Sequence, residues 1–219
     1  MAIKLYAHPF SSYCQKVLIA FYEKRVAFDL QLVAGDNPSA GAALRVLWPL
    51  ERFPVLEAGG RTILESSIIV EWIDQRDLSG ARLIPADANA ALDVRMRDRI
   101  FDNYVMTPMQ TIVANRIRPE AVRDAHGIAQ ARALLDRSYR WLDGEMASRT
   151  WAAGDQFSLA DCAAAPSLFY ANWVHPIAGH DHLIAYWQRL MARPSVARAV
   201  DEARPYRALF PGGAPTDRG

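Results

Sequence analysis

The sequence has little cysteine, no surplus of charge of one sign and no long apolar run, and each shortage closes off a class of protein. Cys14 and Cys162 are the only two cysteines in 219 residues. They are too few and too far apart for a disulfide framework, a CxxC zinc site or a CxxC redox pair, and this usage fits a reducing setting. Lys and Arg total 25 against 24 Asp and Glu, a formal net charge of +1. With no basic run, the electrostatic footprint of a nucleic-acid binder is missing. No apolar stretch reaches the roughly 18 residues of a membrane span, and no basic head precedes an apolar core at the N-terminus. The expectation is a cytoplasmic protein with neither nucleic acid nor membrane as partner. His8, His175, His180 and His182 show no HxxxH or carboxylate spacing, so no metal site is expected.

What remains is an ordinary globular composition, 51% apolar and 22% charged, long enough for one or two domains at about 150 residues each. Residues 3–7 alternate as a strand does, and His8-Pro9 stops them before Ser11 and Ser12, both good helix caps. Val17, Leu18, Phe21 and Tyr22 follow the helical period, and residues 26–33 return to alternation. Residues 35–41 read as a loop and 42–48 as a short helix. Phe53-Pro54-Val55-Leu56 opens a strand that Gly59-Gly60 turns back through Arg61 to Leu64. Glu65-Ser66-Ser67 then caps a helix with an apolar face of Ile68, Ile69, Trp72 and Ile73.

The first 77 residues thus predict β-α-β-α-β-β-α. Residues 78–87 carry Ser-Gly and Ile-Pro without periodicity and read as a linker. From 88 to 204 there is no β alternation, only helical patterns broken at Pro108, Pro119, Gly154, Gly179 and Pro194. Residues 88–219 therefore predict an all-helical second domain, ending in a loose Pro- and Gly-rich tail from Pro205. Val174-His175-Pro176 and Gly179-His180 read as a surface loop.

Three places carry chemistry. At Ser11, free backbone N–H groups and the positive end of a helix dipole converge, an arrangement that stabilises an anion. Ser11 either caps that helix or donates to a bound thiolate, one charge-assisted hydrogen bond being worth about 1.5–3 kcal/mol. A cis Phe53-Pro54 bond would turn the Val55 backbone outward toward an extended peptide-like ligand; the alternative is a plain strand boundary. Glu65 and Ser66 either cap their helix or hold the carboxylate and ammonium of an α-amino-acid moiety. Gly154 to Asp161 contains an S-x-x-D capping box, Ser158 with Asp161, read as structural.

In this order the three elements and the helical second half resemble the glutathione transferase family, and the capping box matches its counterpart there. The resemblance implies a thioredoxin-like glutathione-binding domain (1–77) and an all-α helical bundle domain (88–219), with glutathione as co-substrate. It implies that Ser11 stabilises the sulfur, that Val55 pairs with the cysteinyl backbone, that Glu65 and Ser66 hold the γ-glutamyl end, and that Arg52 lies near the glycine carboxylate. Ser12, beside Ser11, is the competing hydroxyl. The expected electrophile is small and apolar, between walls of Phe10, Tyr13, Tyr104, Met109 and Phe169, with Met106, Pro108 and Met109 forming a kinked, adaptable surface. A homodimer is implied, with Trp72 and residues 88–118 near the interface and Asp98 or Asp102 reaching the partner's glutathione. Three other activities share this fold: a glutathione-dependent isomerase or dehalogenase, a disulfide reductase working through Cys14, and a non-catalytic binding module.

Overall fold

The computed structural model describes residues 2–76 and 81–215. A four-stranded sheet in the order β2-β1-β3-β4 is built from β1 (Ile3–Ala7), β2 (Asp29–Leu32), β3 (Val55–Ala58) and β4 (Arg61–Ile63). β1 and β2 are parallel, whereas β3 runs antiparallel to β1 and pairs with β4 as a hairpin. The helices α1 (Ser12–Lys24), α2 (Pro38–Leu47) and α3 (Ser66–Arg76) complete the expected β-α-β-α-β-β-α order. Helices then follow one another: α4 (Ala88–Ile100), α5 (Thr107–Ile117), α6 (Ala125–Met146), α7 (Leu159–Val174), α8 (Asp181–Met191) and α9 (Pro194–Ala203). Among the described residues no helix is long and apolar enough to cross a membrane.

The helix α2 starts four residues before its expected position. Asn37 caps it by accepting from the Ala40 N–H at 3.3 Å, and Pro38 occupies the first turn, where a missing N–H costs nothing. Those two signals outweigh Gly41, which sits inside the helix. On α3, Ile68 is 53% exposed and leaves the apolar face to Ile69, Val70, Trp72 and Ile73. The break expected at Pro108 is instead a change of helical register. Phe101–Met106 form a π-helical segment between α4 and α5, and Pro108 lies in the first turn of α5. The Thr107 hydroxyl donates to the Asp102 carbonyl at 3.0 Å, where the register changes.

Every residue of α7 is buried. Its alanine-rich N-terminal half lets α1, α4 and the π segment approach closely, so one apolar core runs from the sheet into the helical half. Asp161 anchors the start of α7 through a capping box. Its carboxylate accepts from the Ala152 and Ser158 N–H groups at 2.8 and 2.9 Å and from the Tyr186 hydroxyl at 2.7 Å.

The end of the expected linker is bound to the core. Leu83 and Ile84 are buried, and their N–H groups donate to Asp74 at 2.8 and 3.2 Å. Residues 77–80, including the Ser-Gly pair, lie outside the described residues. The tail is not loose over its described part. Arg204–Leu209 form a 3₁₀ turn, Phe210 is buried beside Trp173 with ring centroids 4.9 Å apart, and Arg116 donates to the Pro211 carbonyl at 3.2 Å. Aromatic burial outweighs the local Pro and Gly content there; residues 216–219 lie outside the described part. His175 is likewise tied down, 2.6 Å from an Asp136 carboxylate oxygen.

Asp161→Ala leaves two backbone donors and a tyrosine hydroxyl buried without acceptors, at about 1–3 kcal/mol each. The expected loss in unfolding free energy is about 3 kcal/mol or more, read from urea denaturation; a loss under 1 kcal/mol would contradict the role given to this cap.

Candidate active site

A cleft of about 510 Å³ opens where the β1–α1 turn, the turn before β3, the N-terminus of α3 and the π segment meet. A larger hollow of about 730 Å³ lies behind α1, but it touches none of the proposed anion-binding positions. The smaller cleft is the chemically equipped one, because two helix N-termini open on it. Ser11, Tyr13, Pro54, Glu65 and Ser66 line one side.

Ser11 is in extended conformation as the N-cap of α1. Its oxygen accepts from the Cys14 N–H at 3.5 Å, the outer limit of a hydrogen bond. The same side chain faces the Cys14 thiol and opens on the cleft. Ser12 is buried in the first turn of α1, so Ser11 is the more accessible of the two hydroxyls. Cys14 is fully buried and its thiol is pushed up to about 12 by desolvation, leaving it protonated and inaccessible at neutral pH.

The turn carrying Ser11 is held from both sides. The Ser11 N–H donates to the His8 carbonyl at 2.9 Å, and the Phe10 N–H donates to His8 Nδ1 at 3.1 Å. That ring stays neutral, its pKa lowered by burial. The buried Gln15 amide donates to the Pro9 carbonyl and to the Tyr170 hydroxyl, each at 3.0 Å, and that hydroxyl donates to the Phe10 carbonyl at 3.0 Å. Gln15 and Tyr170 were not singled out in the sequence. A glutamine inside an apolar helical run was the one visible signal; its partner is 155 residues away.

The Phe53-Pro54 bond is cis. Val55 is buried, so anything it offers the cleft comes from its backbone, and the β3–β4 ladder begins only at Leu56. Glu65 is exposed in the left-handed region with φ 67°, as is Glu51 with φ 52°, and both line the cleft. Non-glycine residues there are uncommon and cluster at functional sites. Ser66 is buried at the start of α3, while Arg52 is exposed at the rim.

The opposite side comes from α4, the π segment and α5, as Arg99, Asp102, Asn103 and Gln110. Asp102 belongs to a buried charge cluster. Lys16 on α1, 1% exposed, pairs with Asp98 at 2.5 Å and Asp102 at 2.8 Å, and donates to the Ser67 hydroxyl at 2.9 Å. Arg99 pairs with Asp98 at 2.8 Å and contacts Asp102 and Ser67. Two cations thus balance two carboxylates, although burial still raises the Asp102 pKa. Asp98 is buried and paired within the chain, and Asp102 lines the cleft. Burial also pushes the Tyr13 phenol up to about 12, so it stays a neutral hydrogen-bonding group.

Of the five residues expected as pocket walls, only Tyr13 lines this cleft. Met109 and Phe169 are core residues, and Phe10 packs on Tyr170, Trp173 and Phe210. Tyr104 faces away, into a separate hollow with Ile100 and Trp141. Met106 and Pro108 are buried too, so the adaptable methionine wall is absent. The π register turns these side chains inward and presents Asn103 and Gln110 instead.

The N-terminal domain pattern of the glutathione S-transferases matches residues 5–78 and their C-terminal domain pattern matches residues 103–194. A glutathione S-transferase of Pseudomonas putida is 30% identical over 173 residues, covering 78% of this chain and 76% of that protein. The chain belongs to the glutathione S-transferase family. Glutathione S-transferase 3 of Zea mays is 27% identical over 90% of this chain and 93% of its own length. The solved structure of a Methylobacillus flagellatus glutathione S-transferase with glutathione bound superposes with a TM-score of 0.82 at 28% identity, covering 90% of this chain and 98% of that one. The family's sheet-and-helix half and helical half correspond to the two sides of the cleft.

Lys16→Met leaves Asp98 and Asp102 with Arg99 and the Ser67 hydroxyl. The expected destabilisation is about 3–5 kcal/mol at pH 8. It shrinks as pH falls toward 4, because carboxylates deprived of their partner take up protons more readily when folded than when unfolded. Chemical denaturation at the two pH values checks this, and a loss independent of pH would contradict it.

Proposed function

We propose that this glutathione S-transferase binds glutathione along the Ser11 side of the cleft and delivers its thiolate to an electrophile on the other side. The sulfur sits at the N-terminus of α1, where the Ser11 hydroxyl donates to it. The cysteinyl backbone pairs with Val55 at the free end of the β3–β4 ladder. The γ-glutamyl carboxylate takes the N-terminal N–H groups of α3 and the Ser66 hydroxyl, with Glu65 accepting from the ammonium. Arg52 neutralises the glycine carboxylate. Residues 1–77 supply this half and residues 88–219 the facing wall.

The observation that carries the reading is the Ser11 side chain opening on the same cleft as Ser66 and the α3 N-terminus. A free thiol with pKa near 8.5 is only a few per cent ionised at pH 7, whereas a drop of about two pH units makes it mostly thiolate. Hydrogen bonding to the charged form and the helix dipole both act in that direction. The protein then contributes positioning and charge stabilisation rather than a covalent intermediate.

Ser11→Ala is expected to leave glutathione affinity within a few-fold while moving the bound thiol's titration up by about one pH unit. The absorbance of the thiolate near 240 nm, followed against pH in the two proteins, decides it; coincident titrations would remove Ser11 from the role.

The chain also assembles, in this proposal, as a homodimer. Ile68 on α3 and Leu92 and Met96 on α4, 53%, 64% and 45% exposed, are the apolar side chains proposed to be covered by the second copy. Sedimentation at micromolar concentration should give twice the 24.5 kDa chain mass, and Leu92→Glu with Met96→Glu should return it to the monomer.

A further inference from the structure

Every backbone polar group from the His8 carbonyl to the Ser11 N–H has a partner. The Ser11 N–H donates to the His8 carbonyl at 2.9 Å and the Phe10 N–H to His8 Nδ1 at 3.1 Å, both inside the turn, and Pro9 has no N–H to place. The Pro9 and Phe10 carbonyls are held from outside it. The first accepts from the Gln15 side-chain amide and the second from the Tyr170 hydroxyl, each at 3.0 Å. Gln15 Nε2 also donates to the Tyr170 oxygen at 3.0 Å, so the two side chains form one buried unit, 1% and 3% exposed.

Neither polar group is needed for packing. Gln15 lies in the buried run from Cys14 to Phe21, where an aliphatic side chain would fill the same space without the cost of desolvating an amide. The Tyr170 ring packs edge-on against Phe10 and Phe169 at centroid distances of 5.5 and 5.1 Å, contacts that a phenylalanine keeps. What the amide and the hydroxyl add is a fixed position for the two peptide groups that immediately precede Ser11. Burial raises the Tyr170 pKa, so its hydroxyl keeps the proton it donates.

A hydrogen bond weakens steeply as its angle closes, so the effect of Ser11 on a bound sulfur depends on where that turn is held. We infer that Gln15 and Tyr170 are positioning residues for Ser11, and that through Tyr170 the helical half of the chain controls how much of the bound thiol is ionised. Neither side chain touches the sulfur; both act through the Pro9 and Phe10 carbonyls. This rests on the glutathione reading above.

The test follows the thiolate absorbance of bound glutathione against pH in the parent, Ser11→Ala, Tyr170→Phe, Gln15→Met and the double variant Ser11→Ala/Tyr170→Phe. Tyr170→Phe and Gln15→Met are each expected to move the titration up by about half a pH unit or more. Glutathione KM should stay within about twofold, while kcat with 1-chloro-2,4-dinitrobenzene falls about threefold below both midpoints and matches the parent above them, where the thiol is ionised in either protein. The double variant is expected to titrate with Ser11→Ala, because a residue that acts through Ser11 has nothing further to lose once the hydroxyl is gone. A merely structural role lowers activity equally at every pH and leaves the titration in place. That result in either variant, or shifts that add in the double variant, overturns the inference alone, and so does failure of both single variants to fold, which would assign these groups to the core. Coincident titrations of the parent and Ser11→Ala, or no thiolate band in the parent, overturn the glutathione reading and this inference with it.

Discussion

The site depends on holding one short turn, residues 8–11, at the mouth of a helix. A lone serine hydroxyl has little effect on a thiol unless it stays where the helix N–H groups converge, and a turn of this length cannot fix itself. The constraint comes from α7. Tyr170 donates to the Phe10 carbonyl while accepting from Gln15, which itself grips Pro9. Because these groups are buried, each unmade hydrogen bond costs its full desolvation, so the chain of contacts is kept intact. The rigidity of α7 traces in turn to Asp161 at its N-terminus and to its complete burial.

The second constraint is the buried cluster of Lys16, Asp98, Asp102 and Arg99, which joins α1 to α4 and the π segment across the cleft. Buried ion pairs contribute little net stability against apolar replacements. Their value here is registration. Lys16 meets both carboxylates and the Ser67 hydroxyl only when α1, α3 and α4 sit in one relative position, and that position sets the width of the cleft. The π segment completes the arrangement, since one change of helical register buries Phe101, Val105 and Met106 while turning Asn103 outward.

The expected and observed side-chain arrangements part at the apolar wall. Met109, Phe169 and Phe10 have the composition of an apolar binding wall, and the C-terminal segment has the composition of a loose tail. In the folded chain they satisfy one another: Phe210 closes over the aromatic cluster that would otherwise be an open pocket. A residue's type shows that it avoids water. It does not show whether the shielding comes from a ligand or from another part of the chain.

The order of strands and helices, the caps at Ser11 and Ser158, and the hydroxyls at two helix starts were written in local pattern, because hydrophobic period, turn residues and capping act within a few positions. The residues proposed for the glutathione side stand out for the same reason, each lying at a helix or strand boundary with its own local signature. Gln15 with Tyr170, Lys16 with Asp98, the inward turn of Met109 and the closure by Phe210 follow no such local rule. They were decided by tertiary packing, because a buried polar group finds its partner, and an apolar one its neighbours, only when segments about a hundred residues apart are brought together.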